Sequence, residues 1–288
     1  MVKPFLKWVG SKRKLAATII DLLPKEFNVY HEIFLGSGAV FFALQPNKAY
    51  LCDTNWELIN CFKQVRDNSD RVISILEEME LGYISNEAEG TGKDYYVSIR
   101  NLDRDRQRYK LLSTEYKAAR FIFINRKGFN GLWRVNKSGY CNVPQGDNSN
   151  KICDRDTILR CAQVLQSAKL FHQDMVRGLL ATRDGDVIYL DPPYVPTSIT
   201  SSFCNYTKNG FGKYQQETLA QATEQLSHVG RFWILSNSDT QWVRDRYKNN
   251  KMIEVSRSGA INCKGDKRSQ VAELLITNKR KPNLCCPS

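Results

Sequence analysis

Val29-Tyr30-His31-Glu32-Ile33-Phe34-Leu35-Gly36-Ser37-Gly38 is a run of strand character that ends on a pair of glycines. Ala39 to Leu44 follows with helical character. Next come Ala49-Tyr50-Leu51-Cys52, a second strand ending on Asp53, and a second helix from Asn55. Strand, helix and strand in that order predict a βαβ unit and a parallel sheet. Later strands are expected at 170–172, 187–190, 232–235 and 271–277, with a helix over 215–226 alternating with them. Between the two groups, helical patterns dominate (58–66, 72–81, 95–106, 114–125), closed by a polar Gly/Asn loop region at 127–150. The simplest organisation is a doubly wound α/β domain in two pieces, 1–56 and 151–288, interrupted by a mainly helical insertion over 57–150.

The composition suits a folded protein of 288 residues, 42% hydrophobic and 25% charged, and no apolar run reaches the ~20 residues of a membrane span. The first residues, from Met1 to Trp8, carry too few apolar side chains for a signal sequence, which points to a cytoplasmic protein. Nine cysteines are scattered singly apart from Cys285-Cys286, no C-x-x-C occurs, and the three histidines lie far from any cluster. We read the cysteines as reduced, and expect neither disulfide framework nor metal. The net charge of +12 points to a polyanionic partner, nucleic acid first. Residues 57–94 hold four basic and nine acidic residues, whereas 100–137 hold eleven basic and three acidic. The second segment is therefore expected to face phosphate.

Asp191-Pro192-Pro193-Tyr194 directly follows the strand Val187–Leu190, at the carboxyl end where open α/β sheets bind ligands. Two prolines fix φ and push the preceding residues into extended geometry. In such a stiff loop the Asp191 carboxylate and the Pro192 carbonyl can converge on one point. Two acceptors there suit an amino group whose nitrogen is being alkylated, and Tyr194 offers a face for a flat ring. By itself the tetrapeptide also reads as a plain turn. Phe34 to Gly38 sits between the first strand and its helix, where Gly36 and Gly38 let a cofactor approach the backbone. The dinucleotide pattern G-x-G-x-x-G fails, because Phe41 stands at its third glycine, so NAD is disfavoured. Asp53, at the end of the second strand, can accept bonds from ribose hydroxyls. These features suit a cofactor with a ribose and no pyrophosphate, although a glycine pair alone can be a tight βα turn. Lys7-Trp8-Val9-Gly10-Ser11-Lys12 gains a functional reading only from the other motifs.

Together these segments resemble the Dam-type DNA adenine-N6 methyltransferases, the D12 class of the alpha group, over nearly the whole chain. The matching stretches, in order, are Pro4 to Trp8, Phe34 to Gly38, Asn125-Arg126, Phe129 to Leu132, Arg134, Asn142-Val143-Pro144 and Asp191 to Pro196. Leu235-Ser236-Asn237, Arg257-Ser258 and Glu273-Leu274-Leu275 complete the series. The resemblance implies a Rossmann-like S-adenosylmethionine-dependent sheet, mostly parallel with a reversed edge strand, and methyl transfer from S-adenosylmethionine to adenine N6 in double-stranded DNA. It implies cofactor contacts from Trp8, Lys12 and Asp53, and Asp191 between the methionine part of the cofactor and the target amino group. The adenine would leave the stack by base flipping, held by Asp191 and Pro192 and stacked on Tyr194. Because the sulfonium charge vanishes in the transition state, no metal or strong base is needed.

Members of the family read GATC through the region matching Phe129–Pro144. By that resemblance Arg134 would pair with a guanine edge, Leu132 and Pro144 would touch a thymine methyl, and Phe129, where many relatives have Tyr, would wedge into the stack beside Asn130. Lys7 would face the outer guanine, while Arg126 and Asn136 would hold the DNA backbone of a protein acting as a monomer. Three departures stand out: Gly10-Ser11 for the usual Gly-Gly, Phe129 for Tyr, and Gln145-Gly146-Asp147-Asn148 where relatives often carry a glycine, an arginine and an aromatic. Cytosine N4, an RNA adenine, or a DNA-binding relative without catalysis are the alternative readings.

Overall fold

The computed structural model describes residues 2–147, 151–196, 211–256 and 271–278. Its strands, in chain order, are β1 (Tyr30–Glu32), β2 (Ala49–Asp53), β3 (Ala168–His172), β4 (Val187–Leu190), β5 (Phe232–Ser238), β6 (Lys251–Ser256) and β7 (Val271–Thr277). They form one sheet in the order β3-β2-β1-β4-β5-β7-β6. The first five are parallel, and β7 runs antiparallel to both β5 and β6. The sheet is therefore mostly parallel with a reversed strand, as expected, but the reversed strand stands one place in from the edge. Strand order changes direction between β1 and β4, so the crevice beyond their carboxyl ends is where a ligand is bound in this architecture.

Side-chain alternation explains why β4 is buried throughout. Val187 and Tyr189 enter one apolar core together with Leu51, Phe62 and Phe121, while Ile188 and Leu190 enter a second with Trp233, Leu235 and Leu274. Both faces are covered, as a parallel sheet requires. The covering helices are α1 (Ala16–Asp21), α2 (Ala39–Leu44), α3 (Trp56–Asp67), α4 (Ser69–Ala88), α5 (Gly92–Arg100), α6 (Arg106–Leu111), α7 (Thr114–Lys127), α8 (Arg155–Leu165), α9 (Met175–Leu180), α10 (Lys213–His228) and α11 (Gln241–Arg246). The first core runs without a break from the sheet into α4, α5 and α7, so α3 serves the sheet and the insertion alike. β6 has only Val255 fully buried among its described side chains, which is why K-M-I-E-V-S lacks the apolar run of an inner strand.

The basic segment does not face outward as expected. α7 is buried from Lys117 to Lys127, its cations included. The Arg120 guanidinium has no exposure; it donates to the carbonyls of Ile99 and Arg100 and pairs with Asp103 at 3.1 Å. The ammonium groups of Lys117 and Lys127 lie against the rings of Tyr109 and Tyr83. The single helix expected over 95–106 is also broken. α5 stops at Arg100, Asn101–Arg104 form a 3₁₀ turn, and Asp105 caps α6 by accepting from the Arg108 amide. The break turns Arg100 and Arg104 toward the carbonyls of Val143 and Cys141, at 3.0 and 2.8 Å.

Candidate active site

At the end of β1 the chain leaves the sheet through two glycines in the left-handed region, Gly36 (φ 48°) and Gly38 (φ 64°). A side chain at Gly36 would also collide with Trp8, since a Cβ there would lie 2.9 Å from the indole Cδ1. Trp8 is held on its other side by a stacked contact with Phe121. The Gly36 amide donates to Asp53 Oδ2 (3.2 Å), and the Asn55 amide donates to Oδ1 (2.9 Å). Asp53 is thereby fixed at the tip of β2, with burial pushing its carboxyl above the usual range. The Ser11 and Ser37 hydroxyls meet at 3.0 Å, joining the amino-terminal motif to the glycine loop. Ser11 thus has a partner here, which explains how the chain accommodates a serine at the usual second glycine. Phe34 packs its edge against Phe211 near the same loop.

The loop after β4 brings the second motif onto the first. Lys12 Nζ lies 2.9 Å from Asp191 Oδ1, 2.6 Å from the Gly10 carbonyl and 4.8 Å from the centroid of the Tyr194 ring. Lys12 is 5% exposed and Asp191 one-fifth exposed. Burial raises the Asp191 carboxyl, and the Lys12 ammonium opposes that rise. Pro192 is buried behind it. The Tyr194 hydroxyl donates to Glu273 Oε2 (2.9 Å), and burial together with the Asp191 and Glu273 carboxylates keeps the phenol protonated. Gln216 of α10 donates to the Pro193 carbonyl (2.7 Å), Asn237 of β5 accepts from the Val195 amide (3.1 Å), and Asn237 donates to Gln216 (3.2 Å). Beneath the site, Glu32 Oε2 accepts from Tyr30 Oη (2.8 Å) and the Phe41 amide (3.1 Å), and burial pushes its carboxyl up to about 8. Glu32 and Gln216 are positioned side chains that the motif reading overlooked, and Glu273, matched there only as the head of E-L-L, had no role assigned. For the two glutamates the available signal was an acid set in a strand, Y-H-E-I-F and V-A-E-L-L-I-T.

The segment 125–144 forms a separate face. The Asn125 side chain accepts from the Lys7 amide (2.9 Å) and donates to the carbonyls of Lys7 (2.8 Å) and Gly131 (2.9 Å), stitching the amino terminus to the end of α7. Arg134 to Asn142 make a hairpin closed by a Val135–Cys141 bridge and an Asn142 amide to Arg134 carbonyl bond. Phe129 is 49% exposed, Asn130 is exposed with φ 53°, and Arg134 and Pro144 are exposed while Leu132 is half-buried. Arg134 bonds Asn142 through Nε and Nη2. One expectation needs correction. Arg126 is 7% exposed and donates to the Phe5 carbonyl (2.8 Å), because it braces the amino-terminal segment rather than a surface. Asn136 is exposed and uses its side-chain oxygen inside the hairpin turn, accepting from the Ser138 and Tyr140 amides. Arg257 and Ser258 lie outside the described residues, as do Cys285 and Cys286.

The donor set fits S-adenosylmethionine. Asp53 has two fixed oxygens beside a glycine loop that admits no side chain. Asp191, paired with Lys12, and Glu273, bonded to Tyr194, bring two carboxylates to the same rim, an arrangement suited to a cationic ligand. Among the described residues no group of His, Cys, Asp or Glu could hold a metal ion, and no helix is long and apolar enough to cross a membrane.

A doubly wound sheet with a reversed seventh strand, a glycine loop, a fixed acid at the tip of the second strand and a D-P-P-Y turn on the fourth strand define a Rossmann-like methyltransferase. A model of the D12 class of N6 adenine-specific DNA methyltransferases matches residues 8–261. The chain is 37% identical over 280 residues to the Type II methyltransferase M1.LlaDCHI of Lactococcus lactis subsp. cremoris, covering 96% of this chain and 95% of that protein. It is 37% identical over 290 residues to the Type II methyltransferase M.MjaIII of Methanocaldococcus jannaschii (96% and 99% covered). It is 30% identical over 286 residues to the DNA adenine methylase of Escherichia coli (strain K12), covering 99% and 98%. The chain belongs to the D12 class and is an adenine-specific DNA methyltransferase.

Proposed function

We propose that this enzyme moves the methyl group of S-adenosylmethionine to N6 of the adenine in GATC, on a base flipped out of duplex DNA. The observation that carries this reading is the Asp191 carboxylate, held against Lys12 beside the Tyr194 ring on a loop braced from α10, β5 and β7. When bound, the donor supplies an electrophilic methyl carbon on a sulfonium. Trp8, Lys12, Phe34, Gly36, Gly38 and Asp53 would hold it. Asp191 and the Pro192 carbonyl accept hydrogen bonds from the target amino group and aim its lone pair at that carbon, a positioning effect. Tyr194 stacks on the extruded base, which helps offset the few kcal/mol that unstacking costs.

The division of labour follows the chain. Residues 1–56 and 151–288 form the cofactor unit and 57–150 the recognition insertion, acting as a monomer on one duplex. In the insertion, Phe129, Asn130, Leu132, Arg134 and Pro144 present an exposed edge to the groove, and Lys7, tied to it through Asn125, faces the outer guanine. Arg134 is the reader of one guanine, worth about 1–3 kcal/mol of discrimination. The exposed Phe129 fits the wedge role without a hydroxyl.

The test is transfer of labelled methyl groups to duplex oligonucleotides that differ only in GATC, with the modified base identified after digestion. Label on adenine in the GATC duplex alone is the expected result; label on cytosine, on RNA or on every duplex equally would refute it. Asp191→Ala should abolish transfer and leave DNA binding within about twofold, as expected of a side chain that acts on the reacting amino group. Arg134→Ala should relax discrimination at one guanine, whereas a uniform fall on all sequences would make it a phosphate contact.

A further inference from the structure

Glu273 enters the reading above only as a brace for the loop, yet the topology delivers it to the reacting centre. β7 is the one described strand that runs against its neighbours in the parallel set, so its first residues lie at the rim where β4 and β5 end. There Glu273 pairs in register with Ser238, next to the Asn237 that holds the loop after Asp191. Its Oε2 accepts the Tyr194 hydroxyl at 2.9 Å, and it is half-buried.

A carboxylate in that bond does two things to Tyr194. It fixes the ring's rotation, since the hydroxyl has one partner direction to keep. It also places negative charge at the phenol edge, which makes the ring face more attractive to a cation. A cation already faces this ring, for the Lys12 ammonium lies 4.8 Å from its centroid.

We propose that Glu273 is a positioning residue for methyl transfer, orienting Tyr194 and charging its face against the positive charge that develops on the adenine. This rests on the stacking of the target base on Tyr194 proposed above. In the step, the bond from carbon to sulfur breaks as the bond from carbon to N6 forms. The sulfur keeps the electron pair, and the positive charge passes to the adenine until an N6 proton leaves to the Asp191 carboxylate. A negative edge on the stacked ring favours the later, adenine-centred charge over the earlier, sulfur-centred one, so it accelerates the step without tightening ground-state binding.

Single-turnover transfer to a GATC duplex, with kcat and KM from steady state, tests the proposal on the full chain. Glu273→Gln keeps an oxygen to accept the Tyr194 bond and removes the charge. It should slow transfer about tenfold with KM for DNA unchanged. Tyr194→Phe keeps the ring and removes the connection, so adding Glu273→Gln to it should cost less than about twofold more. An unchanged rate in Glu273→Gln, a loss expressed in KM alone, or losses that multiply in the double variant would each overturn the assignment. Thermal unfolding of each variant accompanies the rates, and a rate loss that tracks lowered stability counts against the proposal. Wild-type protein run alongside separates the two readings: normal wild-type transfer without coupling defeats the role of Glu273 alone, while absent wild-type transfer defeats the proposed reaction and this inference with it.

Discussion

Glu32 shows what a single buried carboxyl does to the enzyme's tolerance of pH. It is 3% exposed, accepts from Tyr30 and Phe41, and keeps its proton up to about pH 8, against an ordinary value of 4.5. Burial raises it first, and the Asp191 charge adds to the rise. A raised carboxyl binds a proton in the folded chain that the unfolded chain has released, so its stability contribution is complete below 4.5 and declines as pH climbs toward 8. Glu32→Gln, neutral at every pH, should therefore unfold at nearly the wild-type temperature at pH 4.5 and above it at pH 8.5. A difference that does not change between those two conditions would mean that Glu32 is ionised throughout. In the sequence Glu32 stands out only as an acid within a strand. That it lies under the reacting centre depends on register, since Glu32 pairs with Tyr189, two residues before Asp191.

At the level of elements, the hairpin 134–142 is held by the helices before it. Arg104 and Asp103 take the Cys141 carbonyl and amide, Arg100 and Tyr96 take the Val143 carbonyl, and Arg120 anchors Asp103 from inside α7. Arg104 and Arg106 both lie against the Tyr140 ring. Arg120→Met would leave Asp103 and Glu57 without their buried counter-charge and should destabilise the fold by about 3–5 kcal/mol, measured by urea unfolding. Arg104→Ala, at a side chain 35% exposed, should cost no more than about 1 kcal/mol. It should nevertheless erode the preference for GATC over a duplex with one base pair changed, because the hairpin that carries Arg134 loses a strut. Unchanged discrimination would show that the hairpin keeps its shape alone. The strands and the D-P-P-Y turn were legible because alternation and proline act locally. The broken helix at 100–106 was not, because its cause is a set of carbonyls 37 and 43 residues further along the chain.

For the whole molecule, the order of motifs was enough to give the sheet and its family, since β1, the glycine loop, β2 and β4 each carry a local mark. What charge counting misjudged was direction. Of the eleven basic residues in 100–137, Lys117, Arg120, Arg126 and Lys127 are buried, and Arg100, Arg104 and Arg106 hold the hairpin. Four remain, Arg108, Lys110, Arg134 and Lys137, and with Arg134 on a base edge three are left for phosphates. Each phosphate neutralised by a cation frees condensed counterions and adds about −0.9 to the slope of log affinity against log salt. In anisotropy titrations between about 50 and 200 mM NaCl, changing Arg108, Lys110 and Lys137 together to Gln should thus flatten the slope by about 3. An unchanged slope would show that these three face no phosphate. Because so many of its cations are structural, the protein draws less of its grip from ions released by DNA and more from base edges, so rising salt should loosen mismatched duplexes sooner than matched ones.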